Sequence, residues 1–139
     1  MFEAYSTASS TFTQNQPITF DNIRYKDCRI NETNSSTITI TAPGRYYIFV
    51  GATGLSGAAG TAFSIQMFQN GVAIPAATAE TSLATDTTMG LSTIINVLPS
   101  CCAINNTTNI IILLLFNFNK TPPYIIIFDH FIYIYISII

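Results

Sequence analysis

The sequence predicts an all-β protein, a two-sheet antiparallel sandwich that forms one domain over residues 1–139. Three observations lead to this prediction. The chain has 139 residues, about the size of a single domain. Thr, Ile, Val, Tyr and Phe are frequent, whereas strong helix formers such as Glu and Lys are scarce. Short apolar alternations recur at intervals of about 8–12 residues, which is typical of a sandwich or barrel.

Alternation and turn residues define the strands in the middle of the chain. Residues 37–41 alternate strictly between Thr and Ile, as a half-buried strand does. Ala-Pro-Gly at 42–44 predicts a turn, because Pro fixes φ before the bend and Gly accepts a positive φ. Residues 46–50 follow as the next strand, and the same reasoning predicts strands at 62–67 and 90–99.

The strongest local signal is a hairpin. Asn70-Gly71 separates two apolar alternations, and this dipeptide favours the two-residue type I′ turn because both turn residues need a positive φ. The Ala- and Thr-rich stretch 76–88 that follows predicts a weaker strand and a loop.

The composition changes towards the C-terminus. Residues 110–116 lose their alternation, which fits either a strand buried on both faces or a short helix. Residues 124–139 predict a final strand with two apolar faces. Isoleucine occupies one parity and tyrosine the other: Ile132, Ile134, Ile136 and Ile138 against Tyr133 and Tyr135.

Charge and hydropathy exclude several classes of function. Charged residues make up 9% of the chain and the net charge is −2, which argues against nucleic-acid binding because that needs a basic surface. Segments 110–116 and 124–139 are shorter than the about 20 apolar residues of a spanning helix, which argues against a membrane span. Residues 1–5 lack the basic head of a secretory signal.

Candidate chemistry is sparse, so the sequence predicts no enzyme, no catalytic residue and no cofactor. His130 is the single histidine, and Asp129 beside it would point to the opposite face of a strand. The chain has no Gly-x-Ser-x-Gly elbow, and its carboxylates are scattered.

No metal site is predicted either. Asp21 and Asp27 could offer oxygen ligands to calcium, but the nearby Arg and Lys residues favour a solvated, charge-paired loop. The three cysteines, Cys28, Cys101 and Cys102, contain no Cys-x-x-Cys. We therefore expect small buried or half-buried thiols rather than zinc ligands or disulfides.

Several motifs occur in an order that resembles a known family. They are Ile18-Thr-Phe20-Asp21-Asn22, Ile38-Thr-Ile40, Gly44-Arg-Tyr46-Tyr47-Ile48, and Ile65-Gln66 followed by Asn70-Gly71-Val72 and Ile74-Pro75. This order resembles the C-terminal heads of BclA-type collagen-like exosporium glycoproteins, which belong with the C1q and tumour necrosis factor-like jelly rolls. The resemblance covers about residues 2–100, and it implies a jelly-roll topology for the predicted sandwich.

The resemblance also implies a function. Such heads are homotrimers on a spore or cell surface that nucleate assembly of collagen-like proteins and can adhere to surface glycans or to host or matrix proteins. Their inner sheet lines the threefold axis, which places a trimer interface at Tyr47, Phe49, Leu91, Tyr133 and Tyr135. The alternative is a carbohydrate-binding module or a phage-fibre tip, since jelly rolls also serve these functions.

Two features depart from the resembled pattern. Residues 103–139 are far more apolar than the last strands of such heads, and either a reading-frame slip or a divergent final hairpin would produce this. The Gly-x-y stalk is absent from the sequence, so we expect a head alone.

Overall fold

The computed structural model describes residues 1–7, 10–12, 16–56, 62–82, 87–99, 108–117 and 126–139. Eleven β-strands occupy these residues. Their bounds are β1 Phe2–Ser6, β2 Ser10–Phe12, β3 Asn22–Tyr25, β4 Ile30–Asn34, β5 Thr37–Ile40, β6 Gly44–Ser56, β7 Ala62–Gln69, β8 Val72–Ser82, β9 Thr87–Val97, β10 Thr108–Asn117 and β11 Ile126–Ile138.

The strands form two antiparallel sheets. Sheet A has the order β3-β1-β11-β6-β9, with β2 also paired to β11. Sheet B has the order β4-β5-β10-β7-β8. Neighbours within each sheet are mostly distant in sequence, as the crossovers of a jelly roll require. The predicted all-β, two-sheet antiparallel jelly-roll sandwich is therefore confirmed.

The core lies between the two sheets. In β6 the side chains alternate, with Tyr46, Ile48 and Val50 fully buried and Tyr47 and Phe49 half-buried. Because successive side chains of a strand point to opposite faces, this pattern separates a core face from an outer face. The same alternation is seen in β1, where Phe2, Ala4 and Ser6 are buried and the residues between them are half-buried.

The segment that could not be assigned from its period is a strand. Residues 110–116 lie within β10, which pairs with β5 on one side and with β7 on the other. β11 likewise lies between β1 and β6. Both apolar C-terminal strands are therefore central in their sheets, with hydrogen-bonded neighbours on each side.

The Gly44-Arg-Tyr46 motif forms one unit at the start of β6. The phenol of Tyr46 donates a hydrogen bond to the carbonyl of Ala42, at 2.8 Å. Gly44 has φ of +154°, and a Cβ placed there would contact the Tyr46 ring at 3.5 Å. Burial raises the pKa of the Tyr46 phenol, so Tyr46 stays neutral and donates to the preceding turn.

The predicted hairpin is also present. Asn70 and Gly71 have φ values of 51° and 79°, as a type I′ turn requires. The β7–β8 pairing shifts register between Gln66 and Phe68. At that shift the Gln66 amide lies within 2.8 Å of the carbonyl of Ile74 and 3.0 Å of that of Ala77, and it donates to them. This side chain thus holds the irregular part of β8.

The structure also bears on the expectations for the cysteines and for a membrane span. Cys28 is a free, exposed thiol, so the expectation of a buried or half-buried position was wrong for it. It lies in the charged loop between β3 and β4, where no core residue covers it. Cys101 and Cys102 are outside the described residues. In the described part of the chain, no helix is long and apolar enough to cross a membrane.

Candidate interaction surface

The outer side of sheet A carries a group of aromatic side chains, which we call the aromatic face. Its members come from four adjacent strands and point away from the core. They are Tyr5, Tyr25, Tyr47, Phe49 and Tyr135. Tyr25 is exposed, at 48%, and the others are half-buried.

Strand register brings these residues together. Tyr135 lies directly opposite Phe49 in the β11–β6 pairing and opposite Glu3 in the β1–β11 pairing. Glu3 in turn lies opposite Tyr25. Residues directly opposite each other in antiparallel strands share a face and contact one another. One row across sheet A therefore runs from Tyr25 through Tyr135 to Phe49.

A glycine on the edge strand shapes the end of this row. Gly90 in β9 has no side chain, and a Cβ placed there would be 3.4 Å from Cζ of Phe49. The Phe49 ring therefore lies over Gly90. Ile94, in the same strand, lies opposite Tyr47 and is 49% exposed, so it extends the apolar surface to the edge of sheet A.

Few charged side chains accompany the aromatic face. Among the described side chains of sheet A, the charged groups are Glu3, Arg24 and Arg45. The Arg24 guanidinium lies 3.4 Å from the Glu3 carboxylate and 5.6 Å from the centroid of the Tyr25 ring. Glu3 therefore lies within the row, between Tyr25 and Tyr135, and is paired with Arg24. The part of the row formed by Tyr135 and Phe49 carries no charge.

The predicted interface residues divide into three groups. Tyr47, Phe49 and Tyr135 all lie on the aromatic face. Tyr133 is in β11, opposite Tyr5 and Gly51, and its side chain is outside the described part of the structure. Leu91 is in the core, at 4% exposure, so its placement at an interface is corrected. It lies opposite Val50 and therefore points inward with it.

The sequence reasoning missed Tyr5 and Tyr25. Both are in short strands near the N-terminus, where the alternation is too brief to indicate a face. The signal for Tyr5 was the Phe2-Glu-Ala4-Tyr pattern, in which Phe2 and Ala4 are buried and Tyr5 has the opposite parity.

The loop considered for calcium is held by internal charge pairs. Asp27 accepts hydrogen bonds from Nε of Arg29 at 2.9 Å and from its backbone N–H at 3.0 Å. These bonds hold the pKa of the Asp27 carboxyl well below its usual range. Asp21 accepts a 2.6 Å bond from the Ser6 hydroxyl. Among the described residues, no three His, Cys, Asp or Glu side chains are grouped as metal ligands.

Asp129 and His130 are the residues that were considered for catalysis. Asp129 and His130 fall at a register shift in the β11–β6 pairing, between Phe128 and Phe131. The side chains of both residues are outside the described part of the structure. What the described residues do provide is a sandwich with one aromatic outer face.

The fold of this chain is similar to that of a solved structure. The globular domain of a zebrafish complement 1qA protein superposes with a TM-score of 0.60 at 12% sequence identity. The match covers 96% of this chain and 94% of that chain. No family model and no curated protein matches the chain. The chain therefore has the all-β antiparallel fold of a C1q globular domain, and at this identity the likeness shows the fold alone.

Proposed function

We propose that this chain is the non-enzymatic, homotrimeric head of a bacterial spore- or cell-surface protein, which nucleates assembly and supports adhesion. The observation that carries the proposal is the aromatic face on sheet A of a C1q-like sandwich. Aromatic residues are enriched at protein interfaces, where they provide a large apolar area and a polar tip. A face of this kind is typical of a contact between chains.

The charge distribution favours an apolar contact between identical chains. All ion pairs seen among the described residues join groups within residues 1–29. Sheet A presents Tyr47, Phe49 and Tyr135 without a charged residue beside them in the same row, apart from Glu3. Salt bridges are thus too few there to specify an interface, and shape and burial would have to do so.

The surface location and the partners rest on the motif resemblance. Gly44-Arg-Tyr46-Tyr47 and Asn70-Gly71-Val72 are the motifs that resemble those of collagen-like exosporium heads. We propose the exosporium or another cell surface as the location. Surface glycans or host or matrix proteins are the proposed ligands of the assembled trimer.

The oligomeric mass in solution tests the central claim. Light scattering coupled to size exclusion should give the wild-type chain three times the mass of one chain. The Tyr135→Asp variant places a charge in the middle of the aromatic face and should give the mass of a single folded chain. The double variant Tyr133→Asp with Tyr135→Asp should remain a monomer even at higher protein concentrations.

A matched control separates the effect of the face from the effect of an added charge. Thr78 is exposed on β8 in sheet B, so Thr78→Asp adds the same charge to the other sheet and should remain trimeric. A wild-type monomer, or a trimer that persists in Tyr135→Asp, would show that this face is not the interface. Binding of the wild-type protein to a glycan array then tests adhesion separately.

A further inference from the structure

A carboxylate is directed inward at one edge of the sandwich. Glu32 lies in β4, the edge strand of sheet B, directly opposite Ile38 in β5. Ile38 is buried in the core. Because directly opposite residues share a face, the Glu32 side chain leaves the sheet on the core side. Its Oε1 atom is buried and has no hydrogen-bond partner among the described residues.

The surroundings of Glu32 contain one further carboxylate and one cation. Burial raises the pKa of Glu32, the carboxylate of Asp21 raises it further, and the ammonium of Lys26 lowers it. The strand against which β4 pairs, β5, consists of Thr and Ile and has no titratable group. Asp21 is itself fixed, because its Oδ2 accepts the 2.6 Å hydrogen bond from the Ser6 hydroxyl.

The two carboxylates lie where separate parts of the chain meet. The segment 16–21 carries the buried side chains of Ile18 and Phe20. The backbone N–H of Phe20 donates to the carbonyl of Ser35, in the turn after β4, at 2.7 Å. Repulsion between Asp21 and Glu32 therefore acts across a joint between this segment and the edge of sheet B.

We propose that Glu32 makes this joint pH-sensitive: the contact between the segment 16–21 and the edge of sheet B is more stable when the Glu32 carboxylate takes up a proton. Protonation removes the repulsion from Asp21 and the cost of burying a charged oxygen that has no partner. The folded chain holds this proton at a higher pH than the unfolded chain does. Folding is therefore favoured below the raised pKa, and this part of the stability is lost as the pH rises through it.

Thermal unfolding of the full chain from about pH 4, just below the ordinary glutamate value, to about pH 8 tests the proposal. The Tm of the wild-type protein should fall as the pH rises. The Glu32→Gln variant keeps the shape without the charge, so it should have the higher Tm near pH 8 and a flatter profile. Glu80→Gln is the matched control, since Glu80 is exposed on β8, and it should follow the wild type. A Glu32→Gln profile parallel to that of the wild type would overturn the proposal.

A direct titration keeps the proposal testable if the variant does not fold. Carbon NMR of the Glu32 carboxyl in the wild-type protein should give a midpoint above the ordinary glutamate value of about 4.3. Replacing the second carboxylate with Asp21→Asn should lower that midpoint. A wild-type midpoint at or below the ordinary glutamate value would overturn the proposal that protonation of Glu32 stabilises this joint.

Discussion

The edge strands β3 and β4 and the central strands β10 and β11 differ sharply in character. β3 and β4 have one sheet neighbour each and include Arg24 and Glu32. β10 pairs with two strands and β11 with three, and Ile110, Ile134 and Ile136 are buried in the core. The comparison shows that these buried isoleucines of the C-terminal region lie on strands in the middle of the sheets and face the core.

The comparison predicts its largest effect for an Ile→Ala substitution. The loss in free energy of unfolding should be much larger at a buried position of a central strand than at an exposed position of an edge strand. Ile134, in β11, is fully buried, whereas Ile23, in β3, is 40% exposed. Ile134→Ala should lower the free energy of unfolding by roughly 2–5 kcal/mol, because it leaves a cavity in the core. Ile23→Ala should cost about 1 kcal/mol or less. Urea denaturation of both variants measures the difference, and equal costs would contradict the interpretation.

The hairpin between β7 and the edge strand β8 gives an intermediate effect. Gly71→Val should destabilise the fold by roughly 1 kcal/mol or more, because a β-branched residue resists a positive φ. A Cβ at Gly71 would meet no atom within 4 Å, so the cost arises from the backbone alone. Val72→Ala, at the exposed neighbouring position, is the control and should be nearly neutral. A neutral Gly71→Val in thermal unfolding would show that the turn has another conformation.

The smallest effect concerns the charged loop after β3. The pKa of Asp27 is lowered by Arg29, so the folded chain holds this proton less tightly than the unfolded chain. Its contribution to stability is present at neutral pH and is lost as the pH falls below the ordinary aspartate range, about 3.9. Acid unfolding of the wild type and of Asp27→Asn should therefore converge at low pH. Profiles that stay separated there would exclude this contribution, and its sign is opposite to that of Glu32.

The sequence was sufficient for the strands in the middle of the chain. Alternation with β-branched residues predicted β5, β6, β7 and β9, and Asn70-Gly71 predicted the hairpin. The short strands β1 to β4 were missed because, unlike the equally short β5 with its Thr–Ile repeat, they have no regular repeat of β-branched residues. For residues 110–116 the period could not separate a strand from a helix, because every residue of this run is apolar.

The candidate surface was only partly predictable, because parity is ambiguous where like residues are adjacent. Tyr46 is buried and Tyr47 half-buried, and Ile95 is 3% exposed beside the exposed Ile94. Which member of each pair points inward depends on the register between β6 and β9. Leu91 was placed at the interface by the family resemblance, whereas its register opposite Val50 directs it inward. Composition alone does not give that register.

The central place of β11 has a consequence for how the chain folds. Sheet A pairs β1 with β11 and β11 with β6. The strands β1 and β6, which are synthesised early, can therefore form these pairings only after β11, near the end of the sequence, has been synthesised. A ribosome that has released β1 and β6 leaves their pairing edges unsatisfied until β11 emerges, and such edges promote aggregation. Pairing over this separation along the chain makes refolding slow, on the order of milliseconds to seconds. The interval before β11 is available is therefore a stage at which this chain is exposed to edge-to-edge aggregation.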